Sequence, residues 1–214
     1  MRKTGICSIT IGITGTDEHV GVTHLSIMLA NYLVSKERCR AAVVDMSLSN
    51  SFAVLQEIYQ DGLYQEPDKK TDRDCADFQM HKVDYYSQRR QKNIANIFQM
   101  GYEYIIIDFG KLSLHNCHSE LLRCHVRILV GSCCEWQQRA FLQVLEEKQQ
   151  LCDAGSWKYA AFFGIQEIRS RIEKKYHIQI HRIPFEEDPF QLHRKHFEPL
   201  KIMLQEESGV CNRI

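Results

Sequence analysis

The sequence predicts an α/β fold, a three-layer sandwich with a mostly parallel central sheet and helices on both faces. Two observations carry this. Short, near-continuous apolar runs such as Ala41-Ala42-Val43-Val44 and Ile105-Ile106-Ile107 suit strands buried on both faces. Segments with helical spacing of apolar residues alternate with them. The chain has 214 residues, 44% of them hydrophobic and 25% charged. Such a chain buries roughly 70% of the surface its unfolded form exposes, so it folds without disulfides or a metal.

Residues 5–14 alternate apolar with small or polar residues and include β-branched Ile and Thr, a first strand. Met1-Arg2-Lys3 before an apolar stretch imitates a secretion signal, but Thr10 and Thr14 interrupt it and Asp17-Glu18 follow. A turn-rich stretch runs from Gly15 to Gly21, then Leu25, Met28, Leu29, Tyr32 and Leu33 mark a helix over 23–35. A strand at 41–44 ends in Asp45, and a short helix covers 51–59. Residues 60–77, dense in charge, read as solvated loop. A strand at 80–86 and a helix at 88–100 precede the strongest strand, Tyr102 to Phe109. The remainder alternates helix 116–124, strand 126–131, helix 135–152, strand 158–163, helix 165–175, strand 178–183 and a helix after Pro189. No Pro/Gly/Ser linker or repeat divides the chain, so residues 1–214 read as one domain.

Lys plus Arg and Asp plus Glu stand at 27 each, with pI near 7.1. That balance removes a global electrostatic argument for nucleic acid, leaving only Lys69-Lys70 and Arg89, Arg90 and Lys92 as basic clusters. No apolar run approaches the ~20 residues that span a bilayer. The nine cysteines form no CxxC pair, and they read as reduced thiols of a cytoplasmic protein. His115, Cys117, His118, Cys124 and His125 lie close in sequence. Pairs seven apart on one helix face are separated by about 10 Å of rise, too far for one zinc without another element. His19 reads as an exposed turn residue rather than a general base, and adjacent Cys133-Cys134 as thiols pointing apart.

Ligands of such folds sit at the carboxyl ends of the strands. The first of these turns, Gly15-Thr16-Asp17-Glu18-His19-Val20-Gly21-Val22-Thr23-His24, resembles the phosphate loop of the ParA/MinD group of P-loop ATPases (the SIMIBI class). Val43-Val44-Asp45 resembles that group's second acidic motif, and Ile105-Ile106-Ile107-Asp108 its Walker B strand. Ile183-Pro184-Phe185-Glu186 resembles the turn that lies against adenine. The four motifs follow in the group's order. The resemblance implies ATP and magnesium as cofactors. Residues 15–24 with Pro184 and Phe185 would then bind nucleotide, and Thr23, Asp45 and Asp108 magnesium, the two carboxylates being the catalytic candidates. The residues themselves leave a plainer reading open, in which Gly21 permits a tight turn, Thr23 caps the helix and both carboxylates bind backbone N–H groups.

The departures from the group's pattern are chemical. Val22 stands at the Walker lysine, Asp17 at the signature lysine, and Glu18 and His19 at two glycines. The group's next acid after Asp45 is Ser47, and Phe162-Phe163-Gly164 lacks the Asn that reads adenine. Each carboxylate of Asp17 and Glu18 facing a triphosphate at ~5 Å costs on the order of 3 kcal/mol at an effective dielectric of ~20. Phosphoryl transfer rests on positioning and electrostatics, so the expectation is a non-catalytic bacterial ParA/MinD-like module that binds a protein partner or forms a homodimer. The rival reading is a nucleotide-dependent switch or weak ATPase in localisation, partitioning or surface-appendage assembly. A membrane-binding final helix fits poorly, because Pro199 interrupts its pattern and Glu186-Glu187-Asp188 and Glu206-Glu207 flank it.

Overall fold

The computed structural model describes residues 8–47, 49, 51–60, 77–87, 94–112, 119–150 and 157–205. Eight strands among them form one sheet: β1 (Ile9–Gly15), β2 (Ala41–Asp45), β3 (Phe78–Met80), β4 (Val83–Tyr86), β5 (Tyr104–Lys111), β6 (Val126–Gly131), β7 (Trp157–Ala161) and β8 (Ile180–Arg182). Their order is β3-β4-β2-β5-β1-β6-β7-β8. Every neighbouring pair is parallel except the β3–β4 hairpin. Strands β2, β5, β1 and β6 therefore lie in the middle of the sheet. Helices α1 (Val22–Ser35), α2 (Ser51–Gln60), α3 (Ile94–Gln99), α4 (Ser119–Leu122), α5 (Gln138–Gln150), α6 (Gln166–Tyr176) and α7 (Phe197–Leu204) connect or flank them.

The period of two along each strand divides the core into two layers. Ile11, Ile13, Val43, Ile106, Ile128 and Val130 pack with α1 and α7 on one face. Ala42, Val44, Ile105, Ile107 and Leu129 pack with Phe141 of α5 and with Ile172 and Tyr176 of α6 on the other. Helix α1 is unusually dry, with Leu25, Met28, Leu29, Tyr32 and Leu33 fully buried. At about 1.5–3 kcal/mol per buried large apolar side chain, that helix is a principal source of stability. Asn31 enters this layer by donating to the Ile27 carbonyl at 2.9 Å and to the Tyr85 hydroxyl at 3.4 Å.

Two stretches differ from the sequence expectation. Residues 80–86 are not one strand: His81 (φ 48°) and Lys82 (φ 68°) turn the chain between β3 and β4. Two successive left-handed residues make the hairpin turn that Asn-Gly normally supplies, and His-Lys carries no such signal. The segment after Pro189 is not one helix either. A 3-10 turn at Arg194–His196 leads into α7, while Phe190 and His193 precede both. Pro199 does not interrupt α7, because it occupies the first turn, where backbone N–H groups have no intrahelical acceptor. Leu200, Met203 and Leu204 are buried, and Phe197 meets Tyr32 of α1 edge-on at 5.6 Å, so α7 closes the core of its own chain. No helix among the described residues is long and apolar enough to cross a membrane.

The first residues of the predicted first strand, the charged stretch at 61–76, and Arg89, Arg90 and Lys92 lie outside the described residues. So do His115, Cys117 and His118.

Candidate functional site

The parallel register places two acids side by side at the carboxyl ends of two central strands. Asp45 ends β2 opposite Asp108 of β5, and both are fully buried. Asp108 Oδ2 accepts from the Thr23 hydroxyl at 2.6 Å and Oδ1 from the Gly110 N–H at 2.8 Å. Asp45 Oδ1 accepts from both the N–H (2.8 Å) and the hydroxyl (2.6 Å) of Ser47; its Oδ2 makes no hydrogen bond of ordinary geometry, although the Phe52 backbone N–H also acts on the carboxyl. Burial pushes both carboxyls up. For Asp108 it outweighs the Thr23 and Gly110 hydrogen bonds, and with the Asp45 charge beside it the group rises to about 6. For Asp45 burial likewise dominates over the donors. Thr23 is therefore not the helix cap. Gly21 takes that position at φ 99°, and the threonine reaches across to the acid.

The loop preceding α1 is built around valines. A Cβ on Gly15 would lie 2.6 Å from Val20 Cγ2 and 2.7 Å from Val22 Cγ2, so both side chains fold over that glycine. Val20 and Val22 are each only 7% exposed. The loop interior is thus apolar and filled. Thr16 is buried and its N–H donates to the Val130 carbonyl at 2.9 Å, pinning the loop to β6. Glu18 and His19 face solvent, His19 with a left-handed backbone at φ 59°. Asp17 does not stand uncompensated, as Lys111 Nζ meets its Oδ1 at 2.7 Å. That hydrogen bond, with one from the Glu18 N–H, holds the Asp17 carboxyl below its usual range.

Aromatic side chains join this loop to the turn after β8. Phe162, which follows β7, lies against Gly21 so closely that a Cβ there would sit 2.3 Å from its ring. The same ring meets His24 edge-on at 5.4 Å. Phe162 neighbours Phe163 at 6.1 Å, and Phe163 neighbours Phe185 at 6.4 Å. Phe163 and Phe185 are 54% and 66% exposed, while Pro184 is half-buried. Burial lowers the His24 imidazole, against the pull of the Glu186 backbone and of the Glu186 and Asp188 charges. The structure thus gathers Thr23, Asp45 and Asp108 tightly, and links Gly21 and His24 to Phe185 through rings.

The oxygen donors Thr23, Asp45 and Asp108 suit magnesium, and the buried Asp45 Oδ2, without a hydrogen bond of ordinary geometry, is a ligand atom there. The loop itself carries no lysine or arginine to meet a phosphate group, and the Val22 methyl packs over Gly15 where the resemblance would place one. Sequence reasoning overlooked Lys111, whose only signal is its place three residues after Asp108 at a strand end. Ser47, noted from the sequence only as the place of a missing acid, donates two hydrogen bonds to Asp45. Cys133 and Cys134 are buried free thiols, and burial pushes the Cys133 thiol up to about 11. Of the cysteine–histidine stretch, Cys124 donates to the Glu120 carbonyl at 3.3 Å, and His125 Nδ1 accepts from the Thr10 N–H at 3.1 Å.

No protein-family model matches the sequence, and no curated protein matches it by sequence. Solved structures do match in fold. A chain of the MinC:MinD cell division protein complex from Aquifex aeolicus aligns with a TM-score of 0.63 at 14% identity, covering 95% of this chain and 99% of that one. A plasmid partition protein from Borrelia burgdorferi B31 bound to AMPPNP aligns at 0.61 with 16% identity, covering 92% and 97%. An ATP complex of a Cyanothece McdA variant aligns at 0.60 with 11% identity, covering 93% and 96%. With its strand order, its paired acids and these alignments along nearly the whole chain, the protein has the ParA/MinD-like P-loop fold.

Proposed function

We propose that residues 1–214 form a single ParA/MinD-like domain that serves as a regulatory or scaffolding protein-interaction module in the cytoplasm, without turning over ATP. The observation that supports this reading is the loop itself, where Val22, at the position of the Walker lysine, is buried with its methyl over Gly15. Lys111, the cation nearest in sequence to the acids, is committed to Asp17. The names of the solved relatives, in plasmid partition and cell division, support a localisation setting. One of those relatives is a complex of two different proteins, which makes a protein partner or a second copy the natural counterpart here.

Isothermal titration of the full chain with ATP and magnesium, run beside a phosphate-release assay, tests this. The expected result is millimolar binding or none, and release equal to a buffer blank. Val22→Lys alone restores no turnover, because Asp17, Glu18 and His19 remain. Micromolar affinity, or turnover abolished by Asp108→Ala, overturns the reading.

A second reading has its own observation. The buried Asp45 Oδ2, without a hydrogen bond of ordinary geometry beside Asp108 and Thr23, favours a magnesium-dependent nucleotide switch, with affinity drawn from the metal rather than from the loop. ATP binding that vanishes with chelator would establish it.

A further inference from the structure

The turn after β8 holds a second polar cluster, away from the paired acids. Glu186 is 6% exposed, and its Oε2 receives three contacts: the His193 Nδ1 and the His196 Nδ1, each at 2.8 Å, and the His193 N–H at 3.1 Å. The carboxylate oxygen and the two imidazole nitrogens all lie within 4.8 Å of one another. His196 is buried, whereas the His193 side chain is 68% exposed. The local fold fixes this convergence. The His196 N–H donates to the His193 carbonyl at 2.9 Å, so the 3-10 turn brings both rings to one side. Asp188 closes the preceding loop by accepting from the Phe190 N–H at 2.9 Å.

We propose that Glu186, His193 and His196 form a binding site for a single divalent transition-metal ion of the zinc class. Two imidazoles and one carboxylate are a zinc donor set, too nitrogen-rich for magnesium or calcium. Ligand atoms around a tetrahedral zinc stand about 3.3 Å apart, so the two 2.8 Å contacts need only a small widening. Each ring places Nδ1 toward the carboxylate, and a shift of its proton to Nε2 turns that nitrogen from donor into ligand. Glu186 and His193 also line a cavity of about 990 Å³, together with Lys36, His81, Asp188 and Arg194. The cavity gives the ion an entry path and leaves room for a water or an anionic ligand on the metal. A bound ion would tie the β8 turn to the entry of α7, fastening the segment whose Glu186 backbone lies against His24.

The test uses the full chain stripped by chelator and titrated with cobalt(II), then with zinc as competitor. Wild type should take up one equivalent with the intense visible absorption of a four-coordinate nitrogen–oxygen site. Because the chain has nine cysteines, a sulfur-to-cobalt charge-transfer band as the sole signature would overturn the assignment. His193→Ala, at an exposed side chain, should weaken uptake about 100-fold with unchanged circular dichroism, and Glu186→Gln should do the same. His81→Ala, which lines the cavity without joining the cluster, should leave uptake intact. Equal uptake by wild type and His193→Ala, or no uptake by wild type at micromolar metal, would refute the site.

Discussion

Two groups of buried carboxylates sit at the carboxyl ends of the strands, and they solve the same problem in opposite ways. Asp45 and Asp108 face each other at the ends of β2 and β5, served only by hydroxyl and backbone donors, and burial drives both upward. Burial also pushes the Glu186 carboxyl upward, but hydrogen bonds from His193 and His196 overcome it and bring the group down to about 2. Asp45 and Asp108 are wholly enclosed, whereas Glu186 lies in a surface turn beside the exposed His193. Depth and donors therefore act together, the deeper acids having fewer donors per carboxyl and the shallower one three on a single oxygen.

Removing the histidine-bound acid should have the largest effect. Glu186→Ala strands three donors that converge on one oxygen, one of them from the buried His196. A loss of about 4 kcal/mol is expected in urea unfolding, each donor left without an acceptor costing about 1–3 kcal/mol. A loss below about 1 kcal/mol, the worth of an exposed pair, would erase the contrast drawn above.

The opposite sign is expected at the paired acids. Asp108 binds its proton more tightly folded (about 6) than unfolded (3.8), so its contribution is favourable below the unfolded value. That contribution is lost as pH rises from about 4 through 6. Asp108→Asn keeps a hydrogen-bonding partner for both Thr23 and Gly110 and removes the buried charge. It should gain up to about 3 kcal/mol above pH 7 and flatten the stability profile between about pH 4 and 6. Thermal melts of both proteins across that range measure it, and an unchanged or lowered melting temperature at about pH 7.5 would contradict it.

The smallest effect sharpens the comparison by touching neither group. The His81-Lys82 turn holds two exposed side chains in the left-handed region. Replacing the pair with Asn-Gly should raise stability by about 1 kcal/mol, through relief of the backbone alone. The two acid sites should then titrate unaltered, as their nuclear magnetic resonance shifts would report.

The inner strands were legible because burial on both faces leaves an unbroken apolar signature, as in Ile105-Ile106-Ile107. The pairing of Asp45 with Asp108 was legible too, since each acid closes such a run. The β3–β4 turn was not, because His-Lys lacks the residues that usually announce a positive φ. Nor was the Glu186–His193–His196 group, whose members stand seven and three residues apart across an irregular loop. Adjacency drew the eye instead to Cys124 and His125, which the fold commits to the Glu120 carbonyl and to Thr10. Asp17 carried a sequence expectation of unrelieved negative charge. Only the close of β5 beside the loop reveals Lys111 as its partner.

The position of β1 has a consequence for how the chain is made. Its two neighbours are β5 and β6, with Ile9 beside Tyr104 and Ile11 beside Val126. Both partners follow it by more than 90 residues in the chain, so β1 is made well before either strand that will flank it. At roughly 5–20 residues per second, it waits several seconds for its second partner. During that interval a strand with all but its first residue destined for burial stands open on both edges. The centre of the finished sheet is the most exposed part of the unfinished one.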